Sequence, residues 1–308
     1  MPATLVFWVF VLAGDAGIGC DGGGAVDAAI DAAIDGGLDG GAVDGGLPPS
    51  STDVMTASQA PVSAEPVAVA GVTTKEPVIA LTFDACATRK QANGFDRPIF
   101  DILARDKIPA TLYLSGRWVE THPKAAKLIA AADFIELGNH TYSHPRLTLL
   151  RQERMRFQIA RTSEIIRQKM GRSALTMRPP AGAWEAPVLK TATAEHVPLI
   201  LWTIVSGDVG GHVPAARITR TVLEQAKPGA IIIFHINNRA PFTKKALPDI
   251  IAGLRQKGFR FVTVSQLLAL PDAVPVAAKP SHFGYGMGKK MHLPERQPSG
   301  NEHAAPPI

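Results

Sequence analysis

Val78-Ile-Ala-Leu-Thr-Phe-Asp84 is an unbroken apolar run that ends on a carboxylate. A run of this length, without polar alternation, reads as a strand buried on both faces. Working outward, apolar β-type runs alternate with amphipathic stretches. Pro98 to Lys107 reads as a helix with Ile99, Phe100, Ile102 and Leu103 on one side. Ala110 to Ser115 is the next strand, and Pro123 opens a helix to Ala132. Phe134 to Leu137 is a short strand. Arg151 to Met170 is the longest helix, with Met155, Ile159, Ile166 and Met170 on one stripe and Gly171 as its stop. Strands at Leu175–Arg178, Leu199–Val205, Ala230–His235 and Phe259–Val264 then alternate with helices at Ala186–Glu195, Ala216–Lys227 and Leu247–Lys257. Such alternation calls for a parallel sheet with crossover helices. About seven strands within about 200 residues predict an α/β fold, a distorted or incomplete (β/α) barrel over residues 72–270.

In a parallel α/β barrel, chemistry sits at the carboxyl ends of the strands. Asp84, His140, Arg178, Asp208 and His235 all fall at or just after predicted strand ends. Scattered core polar residues would not do so five times. His140 and His144 lie four residues apart in Glu136-Leu-Gly-Asn-His-Thr-Tyr-Ser-His-Pro145. If the chain turns helical at Asn139, the two imidazoles face one side and can take two positions of a tetrahedral zinc.

The two ends of the chain differ from its middle. Leu5 to Ala13 is a short apolar segment followed by small residues, so residues 1–20 are a possible export signal, although no basic residue precedes it. Residues 21–71 are low in complexity, with Asp at 27, 31, 35 and 39 among glycines, and read as a disordered linker. Residues 271–308, rich in Pro, Gly, His and Lys, read as a disordered basic tail. Residues 1–74 carry eight Asp, one Glu and no Lys or Arg, a charge of −9, which leaves the remainder at +14. A basic body favours an anionic polymer such as cell-wall glycan, and no nucleic-acid motif argues for DNA or RNA. No apolar run reaches the ~18 residues of a membrane span. Two cysteines, Cys20 and Cys86, make no disulfide framework. A monomer is expected.

Five motifs, in order, carry a resemblance: Thr82-Phe-Asp84, His140-Thr-Tyr-Ser-His144, Arg178-Pro-Pro-Ala-Gly182, Ser206-Gly-Asp208 and Ile231-Ile-Ile-Phe-His235. Together they resemble the polysaccharide deacetylases, the NodB-type domains of carbohydrate esterase family four. The resemblance implies a metal-dependent hydrolase that removes acetyl groups from N-acetylated sugars of an envelope or extracellular glycan. It implies export to the periplasm, envelope or medium. It makes Asp84 the general base, His140 and His144 ligands of a divalent metal, usually zinc, and His235 the general acid. It pairs Arg178 with Asp208 to orient the base and places a backbone N–H near Ala181 at the oxyanion. Trp184, in the loop after Arg178, is a candidate sugar platform by its position.

The family usually writes T-F-D-D, with the second aspartate a metal ligand, and here Ala85 and Cys86 follow Asp84. Val209 and Ile236 also depart from the usual pattern. The third metal position then falls to Asp84 itself, to Asp96 at the start of the first helix, to Cys86, or to water. The alternative is a glycan-binding module of the same fold that has lost the chemistry, or a hydrolase of another C–N bond.

Overall fold

A computed structural model describes residues 66–88, 93–209 and 213–282. The possible signal and nearly all of the acidic linker lie outside the described residues. The strands are β1 (Val69–Thr73), β2 (Val78–Ala85), β3 (Ala110–Leu114), β4 (Ile135–Asn139), β5 (Thr176–Met177), β6 (Ile204–Val205), β7 (Ala230–His235), β8 (Arg260–Phe261) and β9 (Val274–Ala277). The helices are α1 (Arg97–Arg105), α2 (Gly116–Thr121), α3 (Pro123–Ala130), α4 (Gln152–Met170), α5 (Ala186–Ala194), α6 (Ala215–Gln225), α7 (Thr243–Gln256) and α8 (Val264–Leu268).

All eight residues of β2 are buried, as its unbroken apolar run requires. The sheet runs β5-β4-β3-β2-β7-β1-β9, with β6 added on β7 and β8 on β2. Strands β2 to β8, the seven expected, pair only in parallel with one another, while β1 pairs antiparallel with β7 and β9. The sheet curls into a half barrel. One apolar cluster, which includes Phe83, Leu112, Ile165 and Ile250, packs helices on one face of it. A second, with Ala80, Tyr113, Met177 and Ile231, fills the other face.

The expected strand Leu199–Val205 divides in two. Leu199 and Ile200 bridge Met177 and Val69, tying the β5 edge toward β1, and only Ile204–Val205 joins β7. The domain also extends past Leu270, where the apolar periodicity ends. Strand β9 pairs with β1, and Ser281 bridges Trp184. Short strands with exposed or half-buried residues, such as Val274–Ala277, show no apolar run to read. Among the described residues no helix is long and apolar enough to cross a membrane.

Candidate active site

Parallel pairing sets a row of side chains at one level across the sheet. His235 on β7 is in register with Asp84 on β2, Asp84 with Tyr113 on β3, and Tyr113 with Gly138 on β4. Gly138 is needed there, because a Cβ at this position would stand 2.4 Å from the Tyr113 ring. The ring lies across that gap, and its hydroxyl pairs with Thr176 Oγ1 at 3.0 Å on β5. Burial pushes the Tyr113 hydroxyl far above its ordinary pKa, so it stays neutral.

Arg178, just beyond β5, is fully buried on this platform. Its guanidinium carbon sits 4.2 Å from the Tyr113 ring centroid and 5.4 Å from that of Trp202. Nη1 donates to Asp84 Oδ1 at 2.8 Å and Nη2 to the Leu201 carbonyl at 2.9 Å. Two aromatic faces, a carboxylate and a carbonyl thus replace the water that the cation lost.

Two loops follow. After β4, Thr141 and His144 both take left-handed backbone (φ 63° and 62°), so the helix assumed for the histidine pair does not form. The rings still meet, edge to face, with centroids 4.8 Å apart. Asn139 builds this loop: its Oδ1 accepts from Thr141 N, and its Nδ2 donates to Ile159 O and Ser163 Oγ on α4. Gln158 of α4 accepts from Ser143 N. Sequence reasoning missed Asn139 and Gln158, although Asn directly before His140 was a visible signal. After β5, Ala181 is also left-handed (φ 57°), in a turn closed by Gly182 N–H to Pro179 O and Ala183 N–H to Pro180 O. The Ala181 N–H stands outside those two bonds. Non-glycine residues in this conformation cost about 1–3 kcal/mol each and gather where function constrains the backbone.

His140 Nδ1 lies 2.8 Å from the Arg178 carbonyl, which can only accept, so Nδ1 carries the proton. Nε2 then faces Asp84 Oδ2 at 3.6 Å. His235 Nδ1 is 3.0 Å from Asp208 Oδ1, and Asp208 Oδ2 accepts from His235 N and from Thr243 Oγ1 at 2.8 and 2.9 Å. The expected Arg178–Asp208 pair is therefore replaced by two separate pairs, Asp84–Arg178 and Asp208–His235. The sequence order of motifs does not say which strand ends become neighbours.

Other expected residues fall elsewhere. Trp184 is 5% exposed, belongs to the apolar cluster with Val188 and Trp202, and holds Ser281 through its backbone. A ring so covered is a core residue, not an open sugar platform. Ala85 is buried among apolar residues behind the sheet. Cys86 is buried, and its sulfur accepts from Asn237 Nδ2 at 3.2 Å. Asp96 turns to the loop after β7, where its Oδ2 accepts from Asn238 N at 2.7 Å. It does not join His140 and His144. Burial raises the Asp96 pKa against the Asn238 N–H and Lys244, which lower it, and the negative charge of Asp208 adds to the rise.

Among the described residues no group of three or more His, Cys, Asp or Glu side chains is gathered as a ready metal cage. The donor chemistry at the site nevertheless fits a divalent cation. The Arg178 carbonyl fixes the tautomer of His140, as outer-sphere acceptors do for metal-binding histidines. His144 stands against His140 with ring centroids 4.8 Å apart, so two imidazoles of the kind that bind divalent ions converge beside Asp84.

A family profile described as polysaccharide deacetylase matches residues 71–198. A peptidoglycan-N-acetylglucosamine deacetylase from Bacillus cereus is 35% identical over 191 residues, 61% of this chain and 67% of that protein. A chitooligosaccharide deacetylase from Rhizobium leguminosarum bv. trifolii is 32% identical over 57% of this chain and 77% of its own length. Among solved structures, a CE4 family pseudoenzyme from Bacillus anthracis superposes with a TM-score of 0.61 at 26% identity, covering 67% of this chain and 70% of that one.

Proposed function

The chain belongs to the polysaccharide deacetylase family, and from that premise we propose a metal-dependent deacetylase of an N-acetylated envelope or extracellular glycan, reached by export. The observation that carries this reading is the pair of buried dyads, Asp84–Arg178 and His235–Asp208, at adjacent strand ends.

Each residue has work that its surroundings allow. Arg178 holds Asp84 Oδ1, which leaves Oδ2 to take a proton from the attacking water. As an imidazolium, His235 donates Nδ1–H to Asp208 and carries a second proton on Nε2, which passes to the leaving amine. The amide C–N bond breaks, a C–O bond to the water oxygen forms, and acetate and a free amino sugar leave. The Ala181 N–H is the donor offered to the developing oxyanion. His140 and His144, beside Asp84, would hold the metal. A bound divalent ion, zinc by the imidazole-rich donor set, polarises the carbonyl and lowers the pKa of water.

The test is acetate release by the full chain from chitooligosaccharides and peptidoglycan, with and without chelator. Release should be chelator-sensitive and fall at least about a hundredfold in His235→Ala and His140→Ala. Retained activity in both variants sinks the assignment.

A second reading has its own observation. Ala85 packs in the apolar core, so the usual second carboxylate of the family has no counterpart there. On that reading the domain binds the glycan without turnover. Glycan binding by calorimetry, with no acetate released at any metal concentration, would select it.

A further inference from the structure

We propose that Asp96 is a positioning residue that fixes the loop carrying His235, and that it does so by clamping Asn238. This loop, residues 236–242, joins β7 to α7, and both of its ends touch the same carboxylate. His235 at one end and Thr243 at the other donate to Asp208. Its middle is pinned by the segment before α1. Gly94 N–H donates to Asn237 O at 3.1 Å and Asp96 N–H to Ile236 O at 2.9 Å. Asp96 Oδ2 accepts from Asn238 N at 2.7 Å. The Asn238 side-chain amide, turned so that its nitrogen meets the carboxylate, donates to both oxygens of Asp96 at 3.1 Å.

Three features show that the clamp is specific. Asn238 is left-handed (φ 64°), a conformation that Asn tolerates better than most residues. Position 94 must be glycine, because a Cβ there would stand 1.8 Å from the end of the Asn238 side-chain amide. Asp96 sits at the start of α1 yet makes no side-chain bond to that helix. Asp96 is 4% exposed, and its carboxylate bonds to the His235 loop instead. The backbone and side-chain amides of Asn238 both present N–H donors to it, which an acceptor-only carboxylate satisfies and an asparagine would not. Asn237 adds a second tie, donating to the Cys86 carbonyl and sulfur at 3.2 Å. The loop that follows Asp84 and the loop that follows His235 are thereby held to one another.

The test is amide hydrogen exchange on the full chain, with kinetics beside it. Asp96→Asn keeps the shape but turns one acceptor into a donor facing Asn238. Its His235–Asn238 amides should exchange at least about tenfold faster while those of β3 are unchanged. Asn238→Gly, which keeps the left-handed backbone and removes the side-chain donors, should act in the same direction. The exchange of roles, Asp96→Asn with Asn238→Asp, should restore protection. The kinetic arm rests on the deacetylase reading: kcat should fall about tenfold in Asp96→Asn with KM within about twofold, and recover in the exchanged pair. Unchanged exchange at 235–238 in either folded single variant overturns the proposal. Wild-type protein that releases no acetate, with exchange responding as described, removes the deacetylase reading and leaves the clamp standing.

Discussion

The buried guanidinium of Arg178 is held by Asp84, the Leu201 carbonyl and two aromatic faces, and each tie constrains what can replace it. Arg178→Met would leave Asp84 buried without its counter-ion, a change that costs about 3–5 kcal/mol. Adding Asp84→Asn should recover a large part of that loss in urea denaturation, because the stranded charge is gone. Equal losses in the single and double variants would show that Arg178 stabilises through packing alone. Arg178→Lys should fall between them, since an ammonium cannot stack flat on Tyr113 or reach both acceptors. At this scale the sequence was legible where a polar residue closed an apolar run, which singled out Asp84, Arg178 and His235. Pairing was not legible, because Asp84 and His235 become neighbours only through the β2–β7 register, 151 residues apart in the chain. Tyr113 and Gly138 looked like ordinary strand residues; their role exists only because the glycine makes room for the ring.

At the scale of elements, the helices and long strands followed their periodicity. Helix α4 runs from Gln152 to Met170 and stops on Gly171 in the left-handed region (φ 66°), with Met155, Ile159, Ile166 and Met170 buried, as their spacing requires. The edges were not readable, because β9 and the segment beyond it are held by backbone bonds rather than by an apolar run. Ala278 N–H donates to Ala68 O, Ser281 and Trp184 exchange both of their backbone bonds at 2.9 Å, and Thr148 Oγ1 donates to the His282 carbonyl at 2.8 Å. His282 Nδ1 also reaches Glu185 at 3.1 Å. This strap joins the loop after His144 to the loop after Arg178. A fragment of residues 72–270 should therefore melt several degrees below one of residues 66–282, about 2–4 °C for each kcal/mol lost. Coincident melting curves would mean that β9 and the strap contribute nothing.

Across the whole molecule, the two ends of the half barrel are built for different tasks. Left-handed Thr141, His144, Ala181 and Asn238 lie in loops beyond the carboxyl ends of the strands. At the opposite end Glu136 is buried near the start of β4. It accepts from Thr111 Oγ1 at 3.3 Å and from Ser265 N at 3.0 Å, at the start of α8, where Thr263 and Gln266 form a capping box. Burial raises the Glu136 pKa above its ordinary value of 4.5, against the hydrogen bonds it accepts. The folded state thus binds this proton more tightly than the unfolded chain does. Its contribution to stability is full below the unfolded carboxyl range and is lost as pH rises through the folded value. Glu136→Gln has no such proton to lose. The stability of wild type relative to Glu136→Gln, from urea denaturation at several pH values between about 4 and 8, should fall as pH rises. A pH-independent difference would refute the burial argument. Turnover per folded molecule should be the same in both proteins, because Glu136 lies at the end of the strands that carries no reacting group. His235→Ala should abolish turnover per folded molecule and, by stripping the buried Asp208 Oδ1 of its imidazole partner, also lower stability. Turnover per folded molecule is therefore the reading that separates the end that seals the fold from the end that does the chemistry.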